Sequence, residues 1–124
     1  MMPRIFICAP YRSETEYGVE QNIQFAEQMA LDVWSEGGAA FCPHKNTAHF
    51  GGACPDHVWL DGCLSFLAVC DALYLFGGIS PSSGMLGEIR FAYANNIPIL
   101  SSMNEVIPFI RDWYYQRGCK YEHA

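Results

Sequence analysis

The chain has 124 residues, enough for one domain, and 51% of them are hydrophobic, so a core can form. The sequence contains seven Lys and Arg residues and thirteen Asp and Glu residues. This acidic balance argues against binding a nucleic-acid polymer, which requires a basic surface. No stretch approaches the roughly 20 apolar residues of a membrane span, and the apolar start, broken by Pro10, does not fit a signal peptide. The six cysteines form no CxxC pair, so we expect a cytoplasmic protein with reduced, mostly buried thiols.

Four strands and four helices alternate along the sequence in the order β-α-β-α-β-α-β-α. The strands are short apolar runs at Arg4–Ala9, Ala39–Cys42, Ala72–Phe76 and Ile97–Leu100. The helices show apolar residues three and four apart, over Val19–Trp34, Pro55–Cys70, Met85–Asn96 and Glu105–Gln116. Gly37-Gly38 ends the first helix, and Asn104 is the predicted cap of the last.

This alternation predicts an α/β fold, a Rossmann-like (flavodoxin-like) parallel sheet of four to five strands with helices on both faces. We expect residues 1–118 to form a single domain and residues 119–124 a loose tail. In such sheets, ligands bind beyond the carboxyl ends of the strands, where the strand order reverses. The loops after the first three strands should therefore meet at one edge.

The loop after the third strand, Gly77 to Glu88, is the most informative of these segments. It is rich in glycine and serine and leads into a helix, so its N–H groups and hydroxyls can surround an anion. Its candidate ligand-binding residues are Gly78, Ser80, Ser82, Ser83 and Gly84. Glu88 follows in the first turns of the helix, where we expect the helix dipole to keep it ionised for covalent or acid–base chemistry.

The other two loops carry Pro10-Tyr11-Arg12 and Pro43-His44-Lys45. Arg12 is a candidate for binding an anion, with an ordinary surface charge as the alternative. Tyr11 is either a site residue or a core aromatic with a bonded hydroxyl, and His44 either a ligand contact or a structural histidine. Asp61 is either catalytic or simply solvated. The solvated role is considered because we expect the N-terminal end of its helix to point toward the opposite edge of the sheet or toward a partner subunit.

A metal site is the competing interpretation of residues 42–57, which contain Cys42, His44, His49, Cys54 and His57. Zinc uses these residue types. Their spacings match no compact ligand pattern, and Cys42 belongs to a strand, so we expect no metal.

Four segments together make the chain similar to the nucleoside 2-deoxyribosyltransferase superfamily, and within it to small members of the deoxynucleotide N-hydrolase and phage types. The segments are Ile7–Arg12, Pro43-His44, Cys70-Asp71-Ala72 and Ser82–Glu88, and they span roughly residues 4 to 101. The most specific is the run containing Ser82, Gly84 and Glu88.

The resemblance implies cleavage of an N-glycosidic bond without a cofactor, by hydrolysis or by transfer to another base. It places the nucleophile at Glu88, sugar and phosphate contacts at Pro10-Tyr11-Arg12, and 5′-phosphate binding at Ser82 with its neighbours Ser80 and Ser83. An acidic residue before the third strand maps to Asp61 or Asp56. The resemblance also implies a homodimer or larger assembly, for which Trp59, Trp113, Tyr114 and Tyr115 are candidate interface aromatics. A non-catalytic protein that captures a nucleotide-derived ligand in the same pocket is the alternative function.

Overall fold

The computed structural model describes residues 1–78 and 80–121. Its strands are β1 (Arg4–Cys8), β2 (Ala39–Phe41), β3 (Ala72–Leu75) and β4 (Ile99–Leu100). Its helices are α1 (Glu16–Ser35), α2 (Pro43–Asn46), α3 (Asp56–Leu67), α4 (Ser83–Ala94) and α5 (Met103–Gln116). Within these described residues, no helix combines the length and apolar character needed to cross a membrane.

The sheet has four parallel strands in the order β2-β1-β3-β4. Phe6 on β1 pairs with Phe41 on one side and Leu73 on the other, and Tyr74 pairs with Leu100. The chain moves from β1 outward to β2 and then returns to the far side of β1 with β3. The strand order therefore reverses between β1 and β3, and the predicted α/β flavodoxin-like fold is confirmed.

Alternate residues of β1 face opposite layers, as the two-residue period of a strand requires. Ile5 and Ile7 pack with residues of α1 and α5, including Val33 and Ile110. Phe6 and Cys8 face the other layer. There they pack with residues of α3 and α4: Leu67, Met85 and Ala92. Helices thus cover both faces of the sheet.

Several element boundaries differ from those predicted. The segment after β2 begins with the short helix α2 instead of a loop, and Pro55 precedes the first residue of α3 as its N-cap. The last helix begins at Met103 after Ser102, not after Asn104, and the carboxylate of Glu105 reaches back to the N–H of Ser101 at 2.9 Å.

The described part of the predicted loose tail is attached to the domain. The hydroxyl of Tyr121 donates to the carbonyl oxygen of Glu36 at 2.9 Å, and its ring contacts Tyr114. Residues 122–124 lie outside the described residues. The prediction of a loose tail from residue 119 is therefore wrong at Tyr121, because that side chain is hydrogen-bonded to the carbonyl group of Glu36, the C-cap of α1.

The prediction that the cysteines are mostly buried holds for Cys8 alone in full. All six cysteines are unpaired. Three of them are half-buried, Cys42, Cys63 and Cys70, and two are exposed, Cys54 and Cys119. The apolar runs that contain Cys42, Cys63 and Cys70 are thus only partly shielded from solvent.

Gly38 should be indispensable at the turn between α1 and β2. A Cβ atom there would lie 2.8 Å from Val33 Cγ1 and 3.2 Å from Ile110 Cδ1, inside the core. We expect Gly38→Ala to lower the free energy of unfolding by about 1–3 kcal/mol, the cost of overpacking a core. The measurement is urea denaturation followed by circular dichroism.

Gly87→Ala is the matched control for this substitution. Gly87 lies inside α4, and a Cβ atom there would meet nothing within 4 Å. We expect it to raise the free energy of unfolding by about 0.5–1 kcal/mol, since alanine favours a helix over glycine. Equal midpoints for Gly38→Ala and the wild type would show that the core absorbs the added methyl group.

Candidate active site

A cavity of about 580 Å³ opens beyond the carboxyl ends of β1, β2 and β3, where the strand order reverses. The three loops that the sequence placed at this edge all contribute to it, and α3 forms a further wall. The lining residues are Ala9, Tyr11, Arg12, Pro43, His44, Thr47, Gly51, Asp56, Trp59, Leu60, Cys63, Ser82, Ser83, Gly84, Met85 and Glu88. The cavity is large enough for a small organic ligand.

Glu88 lies on α4 with its carboxyl group in this cavity. Burial raises the pKa of the Glu88 carboxyl from 4.5 to about 7, and a hydrogen bond from the thiol of Cys8 partly opposes that shift. The expectation that the helix dipole keeps Glu88 ionised is therefore wrong. Because α4 begins at Ser83, Glu88 belongs to its second turn, beyond the strongest influence of the helix terminus.

Two thiols accompany this carboxyl group. Cys8 is fully buried at the end of β1, and Cys63 lines the cavity from α3. Burial, together with the nearby Glu88, raises the pKa of Cys63 to about 11 and that of Cys8 further still. Both thiols are therefore protonated near neutral pH.

Tyr11 is held in place through both its backbone and its hydroxyl. Its carbonyl oxygen accepts a hydrogen bond from the Asn22 side chain at 3.0 Å. Its hydroxyl accepts one from the backbone N–H of His49 at 3.2 Å. The ring also makes an edge contact with His44, at 5.5 Å between centroids. Tyr11 thus lies at the cavity and also connects the loops after β1 and β2.

His44 connects the same two loops through its buried ring. Its ring is 5% exposed, and Nε2 lies 2.8 Å from the carbonyl oxygen of Pro10, to which it donates. Its Nδ1 atom is buried, with no hydrogen-bond partner among the described residues. Burial lowers the pKa of His44, so the ring is neutral at pH 7. Pro10 is itself buried and does not line the cavity.

Arg12 and Asp56 form an ion pair of 2.6 Å at the mouth of the cavity. Both side chains are more than half exposed, so the pair is solvent-screened and contributes little stability. Arg12 does reach the predicted edge, but in this structure its partner is a protein carboxylate. An anionic ligand would compete with Asp56 for the guanidinium group.

The start of α4 supplies hydrogen-bond donors to the cavity. Ser82 is the N-cap, and its hydroxyl accepts from the N–H of Met85 at 3.3 Å. The N–H group of Met85 is therefore already occupied. Ser83 and Gly84 line the cavity, and their N–H groups have no partner among the described residues. Gly78 and Ser80 are exposed and do not line it.

The helix α3 explains why Asp56, and not Asp61, is at the site. Its cavity-lining residues are Asp56, Trp59, Leu60 and Cys63, which are three and four residues apart and so share one helical face. Asp61 falls off that face and is exposed, and it contributes nothing to the cavity. Helical periodicity alone places Trp59 and Cys63 on an apolar face of the kind that usually packs in a core. A polar Asp56 in phase with them was the available signal that this face meets solvent.

The residues of the proposed metal segment do not converge. No group of three or more His, Cys, Asp or Glu side chains forms a metal-binding arrangement within the described residues. His49 instead pairs with Glu20 at 3.3 Å, and Cys54 is exposed.

Comparison with known proteins adds a family and a fold. A family model described as "Domain of unknown function (DUF7768)" matches residues 3–102. The chain belongs to this family. No curated protein matches the sequence.

Among solved structures, the chain is similar to a 2-deoxyribosyltransferase from the psychrotolerant bacterium Bacillus psychrosaccharolyticus, described as a biocatalyst for the synthesis of nucleosides. The TM-score is 0.56 and the sequence identity 19%, over 77% of this chain and 69% of that one. At this identity the likeness establishes a shared α/β fold.

The buried carboxyl group of Glu88 should make the stability of the protein depend on pH. Its pKa is about 7 when folded, against an ordinary value of 4.5, so the folded state binds more protons between these values. The free energy of unfolding therefore falls as the pH rises from about 4.5 to 7, by about 3 kcal/mol in total. Glu88→Gln, which cannot ionise, should gain about that much relative to the wild type between pH 5 and pH 8.

Urea unfolding of both proteins at the two pH values measures this difference. Glu14→Gln is the control, because Glu14 is exposed and its substitution should leave the pH dependence of the wild type unchanged. If Glu88→Gln and the wild type keep a constant stability difference across this range, the carboxyl group ionises normally in the folded protein.

Proposed function

We propose that this protein cleaves the N-glycosidic bond of a nucleoside or nucleoside 5′-monophosphate, with Glu88 as the nucleophile. The observation that carries the proposal is the position of Glu88: a half-buried carboxyl group in a 580 Å³ cavity at the strand-order reversal of a parallel sheet. The 2-deoxyribosyltransferase with the same fold supports the class of reaction.

In this mechanism the ionised carboxylate of Glu88 attacks the anomeric carbon of the sugar. The bond from that carbon to the base nitrogen breaks, and the base leaves with the bonding electrons and takes up a proton. The transition state resembles an oxocarbenium ion, which the carboxylate stabilises. The resulting glycosyl ester is then opened by water, giving hydrolysis, or by a second base, giving transfer. Since only the ionised form attacks, the rate should rise with pH through about 7.

The surrounding residues have matching roles in this proposal. The walls formed by Tyr11, Trp59 and Leu60 offer apolar and aromatic surface to a base or sugar. The N–H groups of Ser83 and Gly84 at the start of α4 suit a 5′-phosphate. Arg12 can add a charge-assisted bond to that phosphate once it leaves Asp56.

A second candidate function is ligand capture without catalysis, and one observation favours it. The cavity holds two carboxyl groups, those of Glu88 and Asp56, among its lining residues. Asp56 is paired with Arg12 and so is less available as an acid or base. Glycosidases commonly use two carboxyl groups with separate roles, so the pairing of Asp56 with Arg12 favours ligand capture over catalysis.

Incubation with a panel of nucleosides and their 5′-monophosphates, with chromatographic detection of free base, tests the proposal. We expect base release by the wild type and a loss of several orders of magnitude in Glu88→Ala and Glu88→Gln, as for any removed nucleophile. Asp61→Asn is the control on the neighbouring helix and should retain full activity, since Asp61 is outside the cavity.

Turnover in Glu88→Ala close to that of the wild type would contradict the mechanism. Tight binding of a panel member by calorimetry, with no base released by the wild type, would instead support the capture function.

We also propose that the protein self-associates through the outer face of α3. Trp113 and Tyr114, two of the aromatics first considered for an interface, are buried or half-buried within the domain, and Trp59 lines the cavity. The outer face of α3 instead exposes apolar surface. Val58 on α3 is 40% exposed, and Val69 is 56% exposed in the turn that directly follows the helix.

This outer face suits a second copy of the same helix. Gly62 and Ser65 lie on α3 between the two valines in sequence and carry small side chains, which allow two helices to approach closely. The exposed apolar side chains of the two valines favour burial over solvation.

Val58→Asp combined with Val69→Asp should convert the assembly into a monomer, because each new carboxylate would have to be buried at the contact. Light scattering at micromolar concentration measures the mass. Tyr115→Asp is the control: Tyr115 is 83% exposed on α5, on the other face of the sheet, and should leave the assembly intact. A wild-type protein of monomer mass would contradict the proposal.

A further inference from the structure

The loop that carries Tyr11 and Arg12 to the cavity is not held by main-chain pairing. Among the described residues, no main-chain group of residues 10–14 forms a hydrogen bond with another main-chain group. The loop lies between the end of β1 and Thr15, the N-cap of α1. Because main-chain oxygens that are shielded from water need a donor, the hydrogen-bond partners of this loop come from elsewhere.

Side chains supply donors to three successive carbonyl groups of the loop. The Nε2 atom of His44 donates to the carbonyl oxygen of Pro10 at 2.8 Å. The side-chain Nδ2 atom of Asn22 donates to the carbonyl oxygen of Tyr11 at 3.0 Å and to that of Arg12 at 3.3 Å. Asn22 is half-buried in the second turn of α1, so this helix is bonded back to the loop that leads into it.

These bonds fix the peptide units on both sides of each side chain. A peptide unit is planar, so a carbonyl group that is held in one direction orients the whole unit. The two units that flank a Cα atom in turn set the direction of its side chain. Asn22 holds both units around Arg12, whereas Asn22 and His44 each hold one of the two units around Tyr11.

We infer that Asn22 is a positioning residue, which directs Tyr11 and Arg12 to the cavity through the two donors of its side-chain amide. The amide nitrogen carries two hydrogens, and two carbonyl oxygens lie within reach, so donors and acceptors match in number. Asparagine is a poor residue for the interior of a helix, because its amide competes for main-chain groups. The bonds to the loop account for its presence in α1.

The other polar contacts of the two side chains are weaker anchors. The ion pair of Arg12 with Asp56 is more than half exposed on both sides, and such pairs contribute little. The hydroxyl of Tyr11 bonds to the main chain of His49, which is itself exposed. Asn22 instead ties the loop to a helix that is packed in the core through the very next residue, Ile23.

The catalytic consequence of this inference rests on the proposed function, but the position of Tyr11 can be measured by NMR without any substrate. The Tyr11 ring makes an edge contact with the His44 ring at 5.5 Å between centroids, so its ring current shifts the ring-proton resonances of His44. Tyr11→Leu gives these resonances in the absence of the aromatic ring. At the same pH, the His44 resonances of Asn22→Ala should move toward those of Tyr11→Leu.

A second variant and a matched control complete the series. Asn22→Ala should fold, since alanine favours a helix over asparagine. Asn22→Asp keeps the shape of the side chain but has no donor when ionised, so it should move the His44 resonances in the same direction. Gln21→Glu makes the same change from amide to carboxylate one residue earlier, where the amide donates to the Tyr17 hydroxyl instead of the loop. Its His44 resonances should equal those of the wild type.

The kinetic test separates positioning from stability. If base release is observed, Asn22→Ala should raise KM about 10-fold and change kcat less than about 3-fold, because Tyr11 and Arg12 bind the substrate while Glu88 attacks it. A residue that acted on stability alone would leave the KM of the folded protein unchanged.

Unchanged His44 resonances in the folded Asn22→Ala and Asn22→Asp proteins would overturn the inference. So would an unchanged KM in an active Asn22→Ala protein. If the wild type releases no base while the resonances still move, the proposed function fails and the positioning of Tyr11 by Asn22 stands.

Discussion

β1 is the strand on which both layers and the cavity depend. It is hydrogen-bonded along both edges, to β2 and to β3, and covered on both faces. Its four buried residues, Ile5 to Cys8, divide their side chains between the two cores, so a shift in register by one residue would send Ile5 and Ile7 to the wrong layer. The loop that follows β1 is fixed by the same pairing, and it delivers Tyr11 and Arg12 to the cavity. The positions of Tyr11 and Arg12 at the cavity therefore depend on the packing of β1 in the core.

The cavity combines an apolar setting with very little fixed charge. The Glu88 carboxyl has thiols for close neighbours, and the histidine in the wall is neutral. The charges of Arg12 and Asp56 cancel each other at the mouth. Such an environment favours the neutral form of Glu88 and keeps its charged form reactive, since little stabilises it. The same burial that weakens folding above neutral pH thus prepares the carboxylate for attack.

The fold was predictable because each strand is an apolar run and each helix has a clear period, and these signals are local. The meeting of three loops followed from the rule that parallel strands end at one edge. The residues from these loops that line the cavity are Glu88, Tyr11, Arg12, His44, Ser82, Ser83 and Gly84. The pKa of Glu88 was not predictable in the same way. It depends on how deeply the second turn of α4 is buried, which the loop sequence does not encode.

The residues of α3 were harder for a related reason. Helical periodicity groups Asp56, Trp59 and Cys63 on one face but does not say what that face meets. This face meets the cavity because α3 lies mostly outside the core. Among the described residues of α3, Leu67 is the only fully buried one. Likewise, the ion pair between Arg12 and Asp56 joins two segments that are far apart in sequence, and no local sequence pattern predicts it.

The tyrosines at the far end of the chain impose an order on assembly. The hydroxyl of Tyr114 donates to the carbonyl of Gly37 at 2.7 Å, and that of Tyr121 to Glu36, across 77 and 85 residues respectively. During synthesis, the turn between α1 and the edge strand β2 therefore lacks these bonds until residues 114–121 have emerged. The carbonyl groups just after α1 thus gain these hydrogen-bond partners only after all four strands have been synthesised.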